Sequence, residues 1–157
     1  MATYTQPPYC IDSGCTSHCS PVRSDFIDLT PIPHCAVCGM NGSSIPAIGV
    51  GTIRVKCGKG RKLTLKNVLF VPDAALRLIS VGKLADDDFT TIFEEKTCHI
   101  RNKSGRTIAD GTRKGQGLYY FADNDPKNVE RAFISGASPD LATWHRRLGH
   151  MNYTSII

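Results

Sequence analysis

The chain has 157 residues, 41% of them apolar, and carries 19 Lys and Arg against 14 Asp and Glu, a mild net charge of +5. That length holds one domain, or a domain of about 120 residues with a tail. Few aromatics with 14 Gly and 9 Pro favour turns and an all-β fold, and the lack of any apolar run near the roughly 20 residues of a membrane helix, or of a secretory signal at the N-terminus, leads us to expect a cytoplasmic protein with no membrane partner.

The first element is a short apolar strand, Tyr9 to Asp12. It runs into Asp12-Ser13-Gly14, which presents a carboxylate on a tight turn. The glycine lets the backbone fold close around that carboxylate, and the Ser hydroxyl and nearby N–H groups can bond to it. Alone, the tripeptide is also an ordinary turn sequence. Residues 20–30 read as a connector anchored by Phe26, Ile27 and Leu29, and Pro31 and Pro33 argue against a helix there. A short strand at Cys35 to Cys38 turns back at Gly39-Met40-Asn41-Gly42, and Ile45 to Ile48 lead to Gly49 and Gly51. Ile53, Val55 and Cys57 alternate with Arg54 and Lys56, Gly58-Lys59-Gly60 is a turn, and Leu63 and Leu65 alternate with Thr64 and Lys66. That pattern is a β-hairpin.

Val68 to Val71 is a continuous apolar strand ended by Pro72. Leu76 to Leu84 is apolar, with a helical turn expected at Ser80 to Leu84. Strands are predicted at Thr91 to Phe93, Cys98 to Arg101, Arg106 to Ala109 and Leu118 to Phe121, with Asn102-Lys103-Ser104-Gly105 as a turn. Residues 123–139 are polar, contain two prolines and read as a linker. Asp140 is placed to cap an amphipathic helix that starts at Asp140 to Trp144. The expected division is therefore a β domain over 1–122, a linker over 123–139 and a separate segment over 140–157.

Seven cysteines without a signal peptide argue against a disulfide framework. A zinc site could be drawn from Cys15, His18, Cys19, Cys35 and Cys38, but the first group lacks a regular ligand spacing, so small buried thiols are the expected role. Gly49-x-Gly51 lacks a third glycine and a βαβ context, which excludes a dinucleotide site. Lys and Arg cluster at 54–66 and 101–114. Without aromatic residues between them they read as solvated hairpin surfaces rather than a nucleic-acid platform.

Taken in order, Asp12-Ser13-Gly14-Cys15-Thr16-Ser17-His18, the Gly49/Gly51 strand, the run from Val68 to Val81 and Trp144-His145-Arg146-Arg147-Leu148-Gly149-His150 resemble the protease and pre-integrase region of copia-type LTR retrotransposon Gag-Pol polyproteins. The resemblance spans almost the whole chain. Cys15 stands where that family usually has Ala, and Phe70 and Arg77 are variants within the third run. Ser80 replaces the Gly of the hydrophobic-hydrophobic-Gly motif found in retropepsins proper.

The resemblance implies a retropepsin-like β-barrel with a short C-terminal helical tail. It also implies an aspartic endopeptidase that acts as a homodimer on polyprotein peptides, in the cytoplasm or within virus-like particles. Asp12 would be the catalytic carboxylate, supported by Ser13, Gly14 and Thr16, and only one Asp-Ser-Gly is present, so a complete site needs two copies. The 49–65 hairpin, marked by Gly49 and Gly51, is the expected substrate flap. No cofactor is expected for the protease. His145 and His150 fit the histidine half of the family's zinc module, so zinc would require a downstream Cys-x-x-Cys half that the sequence does not reach by Ile157. A fragment of a polyprotein, or the product of a degraded element, is the expected origin. The rival expectation is a catalytically inactive β-barrel serving as a structural or interaction module, and nucleic-acid binding ranks last.

Overall fold

The computed structural model describes residues 8–38, 44–115 and 117–121. The linker and helical segment expected beyond 122, with His145 and His150, lie outside the described residues.

The elements in chain order are β1 (Tyr9–Asp12), β2 (Cys19–Ser20), a 3-10 turn (Arg23–Asp25), β3 (Phe26–Cys38), β4 (Ser44–Lys56), β5 (Lys62–Phe70) and β6 (Arg77–Ser80). Then come α1 (Val81–Asp86), β7 (Thr90–Phe93), β8 (Thr97–Arg101), β9 (Thr107–Lys114) and β10 (Leu118–Phe121). The all-β expectation holds, with one short helix at the predicted turn after Ser80. Ser80 caps it, because its hydroxyl accepts the Lys83 N–H.

β3 departs from the sequence reading. Residues 20–30 are not a plain connector, because one strand runs from Phe26 to Cys38 straight through Pro31 and Pro33. It can do so because β3 is the outermost strand of the sheet, where a residue without an N–H leaves no ladder bond unmade. Register shifts between Phe26 and Asp28 and between Pro31 and Cys35 absorb the misfit.

The strands form one ladder in the order β3-β4-β5-β2-β6-β1-β10-β9-β8-β7. Two pairings are parallel, β1 with β6 and β2 with β5, and the rest are antiparallel. Among the described residues the ladder stays open, with β3 and β7 at its ends. The barrel implied by the resemblance is therefore a curled sheet that strand pairing does not close.

Side chains bring its two halves together. One core joins Phe26, Ile53, Val55, Leu63 and Leu65 from one half to Cys98, Ile100, Ala109 and Phe121 from the other. Arg61, in the β4–β5 turn, crosses the gap, donating to the Thr107 carbonyl at 3.2 Å and pairing with Asp110. His99 Nδ1 lies 2.8 Å from the other Asp110 oxygen. Burial pushes the Asp110 carboxyl up, but the hydrogen bonds and charges of Arg61 and His99 outweigh it and leave the group below its ordinary range. The predicted hairpin alternation is seen directly, with Ile53, Val55, Leu63 and Leu65 buried and Arg54, Lys56, Lys62, Thr64 and Lys66 exposed.

At Gly51 the β3 backbone leaves no room for a side chain on β4. A Cβ there would stand 2.1 Å from the Asp28 carbonyl oxygen, and that oxygen belongs to backbone that cannot swing aside. The neighbouring Thr52 N–H is also tied to Asp28 Oδ1 at 2.9 Å. Gly51→Ala is therefore expected to lower stability by about 1–3 kcal/mol through overpacking. Urea denaturation measures this, and a loss near zero would mean that β3 peels from β4 freely.

Candidate active site

Asp12 ends β1 half-buried, and Ser13, Gly14 and Thr16 follow it exposed. The Gly14 N–H donates to Asp12 Oδ1 at 2.7 Å, which seats the carboxylate on its own turn. A Cβ at Gly14 would come within 3.2 Å of that same oxygen, so glycine keeps the turn tight without crowding the acid. Cys15 donates its thiol to the Asp12 carbonyl at 3.4 Å. Burial first, and then the Asp12 charge, push that thiol up to about 11, so it stays a neutral donor near neutral pH.

Beneath the turn lies Ser80, fully buried and paired in parallel register with Asp12. Its Oγ donates to the Cys15 carbonyl at 2.7 Å and its backbone N–H donates to His18 Nδ1 at 3.0 Å. The Ser that stands where retropepsins proper have Gly is thus a brace, joining the carboxylate turn to the first turn of α1. Sequence reasoning noted this position only as a departure and weighed His18 only as one of several possible zinc ligands. The signal available was spacing alone, since both residues sit in matched motifs that the chain brings together across 62 positions.

At the far end of the β1–β6 pair, Arg77 is clamped on Asp25, with Nε to Oδ2 at 2.7 Å and Nη2 to Oδ1 at 2.6 Å. Both side chains are under a tenth exposed. Ser20 Oγ donates to the same carboxylate at 2.5 Å, and the guanidinium lies 4.7 Å from the Tyr9 ring centroid. Burial, and next the Asp25 charge, raise the Tyr9 hydroxyl well above its ordinary range. Arg77, a variant at the sequence level, is explained by Asp25.

In parallel register Cys10 faces Leu78 and Asp12 faces Ser80, so these four side chains share one face of the sheet. Cys19 pairs with both Leu78 and Leu69 and extends that face. There it meets a second apolar cluster with Ala47, Val71, Val37 and Ile45. A cleft of about 250 Å³ opens among Cys19, Val37, Ile45, Val71, Leu76 and Leu78. It is walled by a two-stranded ribbon, because β4 pairs with β5 only from Gly49 onward and residues 44–47 pair with β3 alone.

Gly49 and Gly51 therefore stand at the base of the ribbon. Gly49 pairs with Pro31 on one side and Phe70 on the other, and a Cβ there would meet Leu29 Cδ1 at 2.9 Å. The turn of the 49–65 hairpin is itself held down, with Cys57 buried in the core and Arg61 bonded to Asp110. The wall beside the cleft is thus the β3–β4 ribbon, whose outer part matches the strand pair expected at Cys35 to Cys38 and Ile45 to Ile48.

The cysteines divide. Cys10, Cys19, Cys57 and Cys98 are buried thiols and Cys15 is half-buried, whereas Cys35 and Cys38 are exposed on the ribbon, against expectation. An edge strand that pairs on one side only leaves those two positions open to solvent. Among the described residues no three His, Cys, Asp or Glu side chains gather as metal ligands.

A family model described as "Pol polyprotein, beta-barrel domain" matches residues 9–89, which carry the Asp12 turn, the ribbon, the cleft, Ser80 and α1. The chain belongs to this Pol β-barrel family. Its curated relatives place it among copia-type retrotransposon polyproteins. It is 31% identical over 142 residues to the retrovirus-related Pol polyprotein from transposon TNT 1-94 of Nicotiana tabacum, covering 90% of this chain and 10% of the relative. It is 28% identical over 153 residues to the corresponding polyproteins from transposons RE1 and RE2 of Arabidopsis thaliana, covering 94% of this chain and 10% of each. The Pol β-barrel chain thus spans about a tenth of the length of these relatives. β10 lies outside the matched 9–89 but pairs with β1, so the Asp12 strand is flanked from both parts of the chain.

Proposed function

We propose that this Pol β-barrel domain is an aspartic endopeptidase that cuts polyprotein peptides as a homodimer. One observation carries the reading. Asp12 sits on an exposed turn, its carboxylate seated by the Gly14 N–H, on the same sheet face as an apolar cleft walled by a two-stranded ribbon.

Each copy offers one such carboxylate, and the exposed Ser13, Gly14 and Thr16 leave the turn open to a second copy. Two carboxylates brought together cannot both ionise easily, so the pair shares one proton. The ionised member takes a proton from a bound water, while the protonated member polarises the scissile carbonyl. This chemistry needs no metal. An extended peptide would lie between the ribbon and the Asp12 face, its apolar side chains in the cleft beside Leu78 and Val37. The setting proposed is the cytoplasm or a virus-like particle, where the polyprotein is assembled and cut.

The test is cleavage of a polyprotein junction peptide across a range of protein concentrations, with oligomeric state measured in parallel. Activity that rises with the dimer fraction, and is absent from Asp12→Ala, supports the reading. A dimer that cuts nothing would leave the domain as a structural or interaction module.

A further inference from the structure

We infer that neutral His18, carrying its hydrogen on Nε2, is a positioning residue for the Asp12 turn, and that protonating Nδ1 slackens that turn. The inference deepens the protease reading and rests on it only for its activity readout.

His18 lies two residues beyond Thr16 and is 1% exposed. Its Nδ1 accepts the Ser80 N–H, so the neutral ring must hold its hydrogen on Nε2. Nε2 is buried and meets no acceptor among the described residues. A buried donor without a partner is costly, and a leucine of similar size would avoid that cost. What leucine lacks is an acceptor for the Ser80 N–H. The histidine is therefore there for Nδ1.

The ring holds the Ser80 backbone, and the Ser80 hydroxyl holds the Cys15 carbonyl three residues past Asp12. A proton on Nδ1 would face the Ser80 N–H, donor against donor, and one of them must move. The loss would pass to the turn through the Ser80 brace. Burial depresses the ring to about 4, with Asp87 favouring the cation and Lys83 opposing it. On its own segment the titratable side chains are Asp12, Cys15 and Cys19, and burial raises both thiols, so they stay neutral through the acid range.

The sign follows from proton counting. The unfolded ring takes a proton near 6.5, while the folded ring resists it down to about 4. Stability is therefore full above 6.5 and falls as the pH drops through that window.

The test compares wild type, His18→Asn and His18→Leu. Asn places an oxygen acceptor near the Nδ1 position and does not titrate; Leu offers no acceptor. Three quantities are followed between pH 6.5 and 4: the thermal midpoint, the backbone amide shifts of Ser13, Gly14 and Thr16, and kcat on a junction peptide. The wild-type midpoint should fall across the window and that of His18→Asn should fall less. The Thr16 amide should carry a titration in wild type that Asn abolishes; Gly14 serves only as a control, because its N–H bonds the Asp12 carboxylate directly. His18→Leu should lose about 10–100-fold in kcat with KM little changed, and Asn should restore it. Identical pH profiles for wild type and His18→Asn would overturn the inference. So would a wild-type ring protonated on Nδ1 at pH 6.5, read by long-range ¹H–¹⁵N correlation, which decides the matter even where neither variant folds. If no protein cuts peptide, the protease reading fails, and the midpoint and amide readouts still judge His18.

Discussion

Asp12→Asn is expected to lower the rate of peptide cleavage by about 10²–10⁴-fold while leaving the fold in place. The substitution is close to isosteric, and the Asn side-chain oxygen can still accept the Gly14 N–H that Asp12 Oδ1 accepts at 2.7 Å. The Cys15 thiol bond to the residue-12 carbonyl and the Ser80 brace on the Cys15 carbonyl do not involve the carboxylate at all. On the protease proposal, what disappears is the group that takes a proton from water or shares one with its counterpart in a second copy. The measurement is single-turnover cleavage at matched dimer concentration, with circular dichroism and sedimentation as controls. Undiminished cleavage by Asp12→Asn would remove Asp12 from the chemistry. A variant that no longer dimerises would instead assign the carboxylate to assembly.

Removing Asp25 is expected to cost about 3–5 kcal/mol of stability. Asp25→Ala takes the two-oxygen carboxylate clamp away from the buried Arg77 guanidinium, and removes the acceptor of the Ser20 hydroxyl. The consequence reaches the site because Arg77 opens β6 and Tyr9 opens β1, so the clamp fixes one end of the parallel pair whose other end is Asp12 beside Ser80. Arg77→Met with Asp25→Leu removes both charges together, and should recover much of the loss, since the desolvation cost of the pair vanishes with its attraction. Urea denaturation of both single variants and the double variant gives the coupling directly. A cost below about 1 kcal/mol for Asp25→Ala would show the pair to be no better than a surface ion pair.

The strands of the 53–65 hairpin, the turn at 58–60 and the helical start after Ser80 were legible in the sequence because each is local. Alternation of apolar and charged residues over a few positions specifies a half-buried strand, and a glycine-bearing turn specifies where it reverses. The Asp12 turn was legible for the same reason. β3 was not. Residues 20–30 read as a connector and Pro31 and Pro33 only excluded a helix, whereas the position of β3 at the end of the ladder lets one strand run through both prolines. The far end of the ribbon that walls the cleft was legible as Cys35 to Cys38 turning back to Ile45 to Ile48, whereas the run of β3 from Phe26 through both prolines was not.

By itself, then, the sequence determined the all-β class, the carboxylate turn and the kinship of the chain with Pol polyproteins. Periodicity and ordered motifs are properties of neighbouring residues and need no fold to be read. Tertiary structure alone decided that Arg77 meets Asp25 across 52 positions, that Arg61 ties the β4–β5 turn to Asp110 of β9, and that Ser80 and His18 brace the turn. Those partners are distant in the chain. Their attraction acts only once the sheet has curled, when burial makes an unpaired charge or N–H too costly to leave unmet.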